Sequence, residues 1–198
     1  MKLPQTVAEF VLQALEHETG GIKVYQTALK CVQNEDLKQE FEKYLEETGR
    51  HEQELLRLCD VMKIDSQAES PGREIVRDLG KSLVRAMEKA LAAGDPAMAE
   101  IVACECVTLA ETKDHLNWEL LGHCARKLEG EMKKALQEAQ QEIEDQEDEH
   151  LYHSKGWCRE LWMQALGMRA VLPPPEERKH VKSAIGASRA EHASMKNR

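Results

Sequence analysis

Apolar residues recur every three or four positions along most of the chain, the spacing that places them on one face of an α-helix. In the first segment, for example, Val7, Val11 and Ala14 follow this spacing. The pattern predicts four long helices and a shorter crossover helix, in the order 5–33, 36–62, 73–93 (the crossover), 96–127 and 131–168. Long helices of this number with one crossover connection are typical of a four-helix bundle.

Residues that disfavour helix separate these segments. The polar stretch 34–36 interrupts the first two, and residues 63–72 end in Ser70-Pro71-Gly72, a strong loop signal. In the stretch 94–96, Gly94 ends a helix, Asp95 is a suitable N-cap and Pro96 suits the first helical position. Gly130 is a weaker break before the last long segment. The turns therefore follow from the sequence independently of any functional residue.

Composition supports an all-α fold. Aromatic residues make up only 4% of the chain, whereas a β-sandwich or barrel needs many aromatic and β-branched strand residues. No apolar run approaches the roughly 18 residues of a membrane span, and the first residues lack a signal-peptide pattern. We therefore expect a cytoplasmic protein without a membrane partner, whose six cysteines are reduced thiols.

Charge is unevenly distributed along the chain. The formal net charge is −9, but residues 171–198 carry six basic and three acidic side chains, so residues 1–170 carry −12. Such an acidic body disfavours binding of nucleic acid, whose phosphates it repels, and it favours cations. Residues 171–198 open with a run of three prolines and offer little to bury. They are predicted to be a disordered tail behind a helical bundle formed by residues 1–170.

Acids and histidines interrupt the apolar stripe near the middle of each long helix. Charged side chains rarely occupy core positions unless they are paired or bind a metal. The first and fourth predicted segments each contribute one carboxylate, and the two helices that follow them each contribute an acid and a histidine about one turn apart. The candidate metal ligands are Glu18, Glu47, His51, Glu111, Glu147 and His150.

These interruptions lie at matching depths. In an antiparallel helical hairpin, residues equally far from the turn lie at the same height. Glu18 and residues 47–51 are centred on the 34–36 turn, and Glu111 and residues 147–150 are centred on Gly130. Four interruptions at one level predict a single polar site inside the bundle.

The ligand pattern fits a di-metal carboxylate site. Such sites use one Glu from each of two helices and a Glu-x-x-His pair from each of the other two, because residues three apart share a helix face. Glu147 and His150 form one such pair. On helix two, Glu47 precedes His51 by four positions, and Thr48 stands at the three-residue spacing.

At these residues the sequence resembles the ferritin-like superfamily, which includes ferritin, bacterioferritin and rubrerythrin. Glu18 followed by Tyr25 is similar to the first-helix Glu-x6-Tyr of that group, and residues 45–51 are similar to its second-helix ligand segment. The resemblance implies two iron ions, or manganese, and an oxidoreductase that oxidises Fe(II) with O2 or peroxide in iron handling or oxidative-stress protection. It also places Tyr25 near the metals, where it would hydrogen-bond a ligand or supply an electron.

The sequence leaves open other interpretations of the function, of the histidine ligands and of the tail. Thr48 in place of a Glu favours a metal-free helical scaffold or a stress-associated interaction protein. His115 could be an extra ligand, although a hydrogen-bonded core histidine is the more ordinary role, and His153 could replace His150 if the last helix is rotated. Residues 183–189 are similar to a short docking peptide, so the tail could bind a partner or shell protein. A homo-oligomer or an iron-storage cage is compatible with these features.

Overall fold

The computed structural model describes residues 3–196, and within that range all regular structure is helical. None of the helices in this range is both long and apolar enough to cross a membrane. A short 3-10 helix (Ala125–Lys127) follows the fourth α-helix. The α-helices are α1 (Gln5–Cys31), α2 (Glu35–Met62), α3 (Pro71–Ala92), α4 (Pro96–Cys124), α5 (Gly130–Ala165), α6 (Pro175–Arg178) and α7 (Ala184–Lys196).

Side-chain caps fix the starts of three helices close to the predicted positions. The Asn34 side chain accepts hydrogen bonds from two backbone amides at the start of α2. Ser70 caps α3 and Asp95 caps α4, each by accepting one amide hydrogen bond. These bonds satisfy N–H groups that have no partner within the helix. The predicted all-α class and the five long segments are thereby confirmed.

The helices pack so that α1 contacts α2 and α4, while α5 contacts both α2 and α4. These four helices therefore enclose a common interior, and α3 lies outside it against α1 and α4. The interior contains two apolar clusters. The first includes Tyr25, Tyr44 and Trp157, and the second includes Leu15 and Leu55.

The two apolar clusters are separated by a layer of buried polar side chains. Along α1, Glu18 lies between Leu15 of the second cluster and Val24 of the first, and along α5, Glu147 lies between Ile143 and Trp157. The same alternation occurs on α2 and α4. The polar residues of the four helices therefore lie at a common depth, as predicted. Each of these helices has its polar residue between the two apolar clusters.

The C-terminal segment differs from the predicted disordered tail. Residues 175–178 and 184–196 are helical, and both helices contact α5. Glu160 of α5 is fully buried and accepts hydrogen bonds from Ser194 Oγ at 2.6 Å and from the Val171 amide at 2.9 Å. Arg159 donates two hydrogen bonds to Glu176. Buried polar bonds thus hold a segment that has few large apolar residues.

The predicted division at residues 170 and 171 falls within the loop between α5 and α6. The predicted bundle begins at residue 1 and the predicted tail ends at residue 198. Residues 1, 2, 197 and 198 lie outside the part of the chain that the structure describes. The remainder of the predicted tail is ordered against the helical body.

Candidate metal centre

Three helices contribute the first group of potential ligands. Glu18 of α1, His51 of α2 and Glu147 of α5 are buried, and one ligand atom of each lies within 4.8 Å of the others. His51 Nδ1 is 2.9 Å from Glu147 Oε1 and 3.7 Å from Glu18 Oε1. A carboxylate–imidazole set of this kind is a suitable environment for a divalent transition-metal ion.

A second group adjoins the first and shares Glu147 with it. Its other members are Glu111 of α4 and His150 of α5, again with ligand atoms within 4.8 Å. His150 Nδ1 lies 3.4 Å from Glu111 Oε2 and 3.7 Å from Glu147 Oε1. Glu147 contributes to both groups, and the same oxygen, Oε1, lies near the Nδ1 atoms of His51 and His150.

The inward-facing ligand atoms of both groups make no hydrogen bonds within the described chain. Buried polar atoms are nearly always hydrogen-bonded, and leaving one unsatisfied costs about 1–3 kcal/mol. The presence of several unsatisfied ligand atoms in one place fits a cation that would interact with all of them. The atoms are Glu18 Oε2, Glu111 Oε2, both carboxylate oxygens of Glu147, and the Nδ1 atoms of His51 and His150.

In Glu18 and Glu111, the other carboxylate oxygen accepts a hydrogen bond from an aromatic side chain. Trp118 Nε1 donates to Glu18 Oε1 at 2.8 Å, and the Tyr25 hydroxyl donates to Glu111 Oε1 at 2.8 Å. Each carboxylate therefore has one oxygen fixed by a neighbour and one oxygen directed elsewhere. Outer bonds of this type orient ligands in metal sites.

The two histidines are held in the same way. His51 Nε2 lies 2.8 Å from Gln146 Oε1, and His150 Nε2 lies 2.9 Å from Glu47 Oε2. Since the amide and carboxylate oxygens only accept, each Nε2 carries the proton and donates it. Whenever such a ring is neutral, it presents the Nδ1 lone pair to the centre, as a metal ligand requires.

The structure places Glu47 beyond the two ligand groups. Glu47 precedes His51 by four positions rather than three, and its carboxylate contacts the outer nitrogen of His150. It also lies 3.4 Å from the exposed Arg50 guanidinium. Thr48, at the three-residue spacing, is buried and faces Gly21. Of the six predicted ligands, the structure brings together Glu18, His51, Glu111, Glu147 and His150.

Burial of so many carboxylates shifts their proton affinities. Burial, followed by the neighbouring Asp114 carboxylate, raises the pKa of both Glu18 and Glu147 well above the ordinary value. Burial acts in the same direction on Glu111, but His150 and Tyr25 lower its pKa overall. Without a cation nearby, Glu18 and Glu147 therefore favour the protonated, neutral form.

The two histidines shift in opposite directions. Burial and the nearby His150 lower the pKa of His51 to about 4. Burial would also lower the pKa of His150, but Glu111 and Glu47 raise it to about 9. A proton on His150 would partly balance the surrounding carboxylates, and so would a cation between them.

Sequence reasoning missed two residues of the centre. Asp114 is buried beside Glu18, and burial raises its pKa; its position three residues after Glu111, on the same helix face, was a usable signal. Gln146, the partner of His51, gave no such signal, because a lone Gln on a Glu-rich helix has no distinctive spacing.

The alternative histidines lie elsewhere. His115 is half-buried, with Nε2 2.5 Å from Asp148 Oδ1. His153 is buried, with Nδ1 2.8 Å from Glu40 Oε1, in a separate group with Glu149. Since Glu149 also forms ion pairs with Lys43 and Lys182, this group is already partly neutralised. His150, not His153, therefore faces the centre.

Tyr25 is buried next to the centre, as predicted. Its hydroxyl contacts Glu111, and its ring lies edge-on to His150 with a centroid separation of 6.5 Å. Burial and the Glu111 carboxylate raise the pKa of the phenol well above its usual value. Tyr25 is therefore a neutral donor that fixes one oxygen of Glu111.

Comparisons of the chain with protein-family models, with curated proteins and with solved structures find no match. The buried carboxylate and histidine groups are compatible with a di-metal site.

Proposed function

We propose that the protein is a ferritin-like four-helix bundle that binds two iron ions and oxidises Fe(II) with O2 or peroxide, in cytoplasmic iron handling or protection against oxidative stress. The observation that supports this most is the convergence of buried ligand atoms without hydrogen-bond partners, in two groups that share Glu147. Manganese could occupy the same ligands, because carboxylate and imidazole suit both metals.

Each ligand has a definite role in this proposal. Glu18 and His51 would hold one ion, Glu111 and His150 the other, and Glu147 both. Glu47 and Gln146 would keep the imidazole rings oriented through their Nε2 protons. Five protein ligands leave coordination positions open on two ions that each prefer about six donors, so an oxidant can reach the metals.

Bound iron would supply electrons to the oxidant, and the protein would manage protons and orientation. Tyr25 is the residue placed to assist. Its hydroxyl is 2.8 Å from Glu111 Oε1, so the phenol proton has an acceptor at hand if the ring gives up an electron. The apolar layers on both sides of the centre would exclude water.

A metal-free scaffold is the second candidate, and two observations favour it. Thr48 provides no carboxylate on α2, and Glu47 is engaged with His150 outside the ligand groups. In that case a proton on His150 would be the permanent counter-charge. The two proposals differ in whether the purified protein holds metal.

Metal analysis of protein purified without chelator tests the proposal. We expect close to two ions per chain, and loss of both in Glu18→Gln combined with Glu111→Gln.

Aerobic addition of Fe(II) to wild-type protein should consume oxygen or peroxide, and Tyr25→Phe should slow this reaction while keeping the metal. Glu142→Gln, an exposed change on α5, is the matched control. Full metal content in the double variant would contradict the proposed centre, and absence of metal from wild type would favour the scaffold.

A further inference from the structure

A cavity of about 320 Å3 lies between α4 and α5 at the level of the metal centre. Its inner wall includes Glu147 and Trp118, which belong to the centre or contact it directly. Its outer wall includes exposed or half-buried side chains of the same two helices, among them Glu119, Glu144 and Asp148. The cavity thus connects the surface of the protein with the shared ligand of both groups.

The inner end of the cavity is a polar group without a partner. Glu147 is 1% exposed, and neither of its carboxylate oxygens makes a hydrogen bond within the described chain. Glu147 is one of the residues that form the cavity wall. A cation that entered the cavity would therefore come close to a residue whose carboxylate is unsatisfied.

The outer end of the cavity is negative. Glu119, Glu144 and Asp148 bring three carboxylates to it, and the imidazole of His115 also lines the cavity. His115 Nε2 lies 2.5 Å from Asp148 Oδ1 and so fixes the Asp148 carboxylate against the wall. One imidazole cannot neutralise three carboxylates, so the local field attracts cations and repels anions.

We propose that this cavity is the entry site for divalent cations, where Asp148 and Glu144 first bind the hydrated ion and from which it passes to Glu147. The inference rests on the proposed function, because it supplies the ions of the metal centre. It assigns to Asp148 and Glu144 a role in the rate of metal uptake and none in the final ligand set. His115 acts as a positioning residue for Asp148.

The rate of Mn2+ uptake by metal-free protein tests this inference, and Trp118 provides the signal. Because its indole donates to Glu18, paramagnetic Mn2+ in the centre should quench its fluorescence. In stopped-flow mixing, we expect Glu144→Gln with Asp148→Asn to bind Mn2+ about fivefold more slowly than wild type, or slower still, since a focused field of this kind governs association. The final number of bound ions should be unchanged.

A matched control removes the same charge from the same helix. Glu138→Gln with Glu142→Gln changes two exposed residues of α5 that do not line the cavity, and it should load at close to the wild-type rate. Equal loading rates in wild type and the entry variant would overturn the inference, and so would equal slowing by both double variants. A reduced final stoichiometry in the entry variant would also overturn it, because these residues would then be ligands. If wild type binds no Mn2+, the metal centre fails as well, a result distinct from slowed uptake.

Discussion

Glu147 is the side chain at which the stability of the fold and the proposed binding of metal make opposite demands. It is buried, it belongs to both ligand groups, and its oxygens have no hydrogen-bond partner among residues 3–196. Burial raises its pKa, so folding without metal requires the carboxylate either to take up a proton or to be buried as an anion. Both alternatives cost free energy at neutral pH.

The Glu147→Gln variant separates the two effects. In chelator-treated protein at pH 8, we expect it to raise the free energy of unfolding by about 1–3 kcal/mol, because an amide stays neutral and can donate to neighbouring carboxylates. Because the pKa of Glu147 is raised in the folded state, its contribution to stability is complete only below its pKa in the unfolded chain, near 4.5. This contribution is lost as pH rises. The gain should therefore shrink as pH falls toward that value.

Urea unfolding of chelated protein and of protein with Mn2+ checks this prediction. Glu147→Gln should lose the stabilisation that Mn2+ gives wild type, whereas the exposed Glu142→Gln should keep it. A variant less stable than wild type in the absence of metal would show that Glu147 is satisfied by the protein alone.

Thr48 is the residue where the centre departs most from a symmetric arrangement. It occupies the position one turn before His51, and its Cγ2 lies 3.3 Å from where a Cβ on Gly21 would be. In Thr48→Glu, a carboxylate would approach the centre from α2 and oppose Glu147. We expect tighter binding of the second ion, by about tenfold or more, and lower stability without metal because another carboxylate is buried.

Calorimetric titration with Mn2+ measures the effect of Thr48→Glu, and Thr48→Gln, similar in size but uncharged, is its control. Unchanged affinity in Thr48→Glu with full folding would mean that residue 48 does not reach the ions.

At the scale of the helices, local sequence signals were sufficient. The breaks at Asn34, Ser70 and Asp95 act through side chains that cap the following helix, and such bonds depend on residues only two or three positions apart. The depth of the polar layer was also predictable, because helix geometry fixes the height of each residue relative to the turn. Both depend on short-range rules.

The C-terminal helices were not predictable in this way. Their attachment depends on Glu160 and Arg159, which lie far from Ser194 and Glu176 in the sequence. Composition suggested disorder because the segment has few large apolar residues, and polar bonds to a buried carboxylate leave no periodic signal. Glu47 stands one position from the expected spacing, and a shift of one residue on a helix changes the direction of a side chain by about 100°. Its carboxylate therefore approaches from a different angle, as the sequence indicates.

The docking of this segment should depend on pH. Burial and the Glu40 carboxylate raise the pKa of Glu177 of α6 to about 7. A raised pKa means that the contribution of Glu177 to docking is complete below about 4.5 and is lost as pH rises through 7. We therefore expect α7, which packs on α6, to be less protected at pH 8 than at pH 6.

Hydrogen exchange of residues 184–196, corrected for the intrinsic effect of pH, checks this expectation. The difference in protection should disappear in Glu177→Gln and persist in Glu191→Gln, which changes an exposed acid of α7. Equal protection at both pH values in wild type would contradict it.

At the scale of the whole molecule, the buried carboxylate and histidine groups bring residues of the four long helices together in one polar layer. Glu18, His51, Glu111 and Glu147 come from α1, α2, α4 and α5 respectively, so ions bound there would link every helix of the interior. The unfolded chain cannot reproduce this arrangement, because the four residues are far apart in sequence. Metal binding and folding should therefore be coupled.

This coupling predicts how stability depends on metal concentration. Once free Mn2+ exceeds the dissociation constant, each bound ion should raise the free energy of unfolding by about 1.4 kcal/mol per tenfold increase in Mn2+, so two ions give about 2.7 kcal/mol. Urea unfolding in buffered Mn2+ measures this slope directly, and an excess of chelator should return the protein to the metal-free value. A slope for one ion would mean that the site lacking a carboxylate from α2 stays weak, and Thr48→Glu should then restore the slope for two. A slope near zero would contradict the metal centre, because ions held by four helices of the folded state must oppose its unfolding.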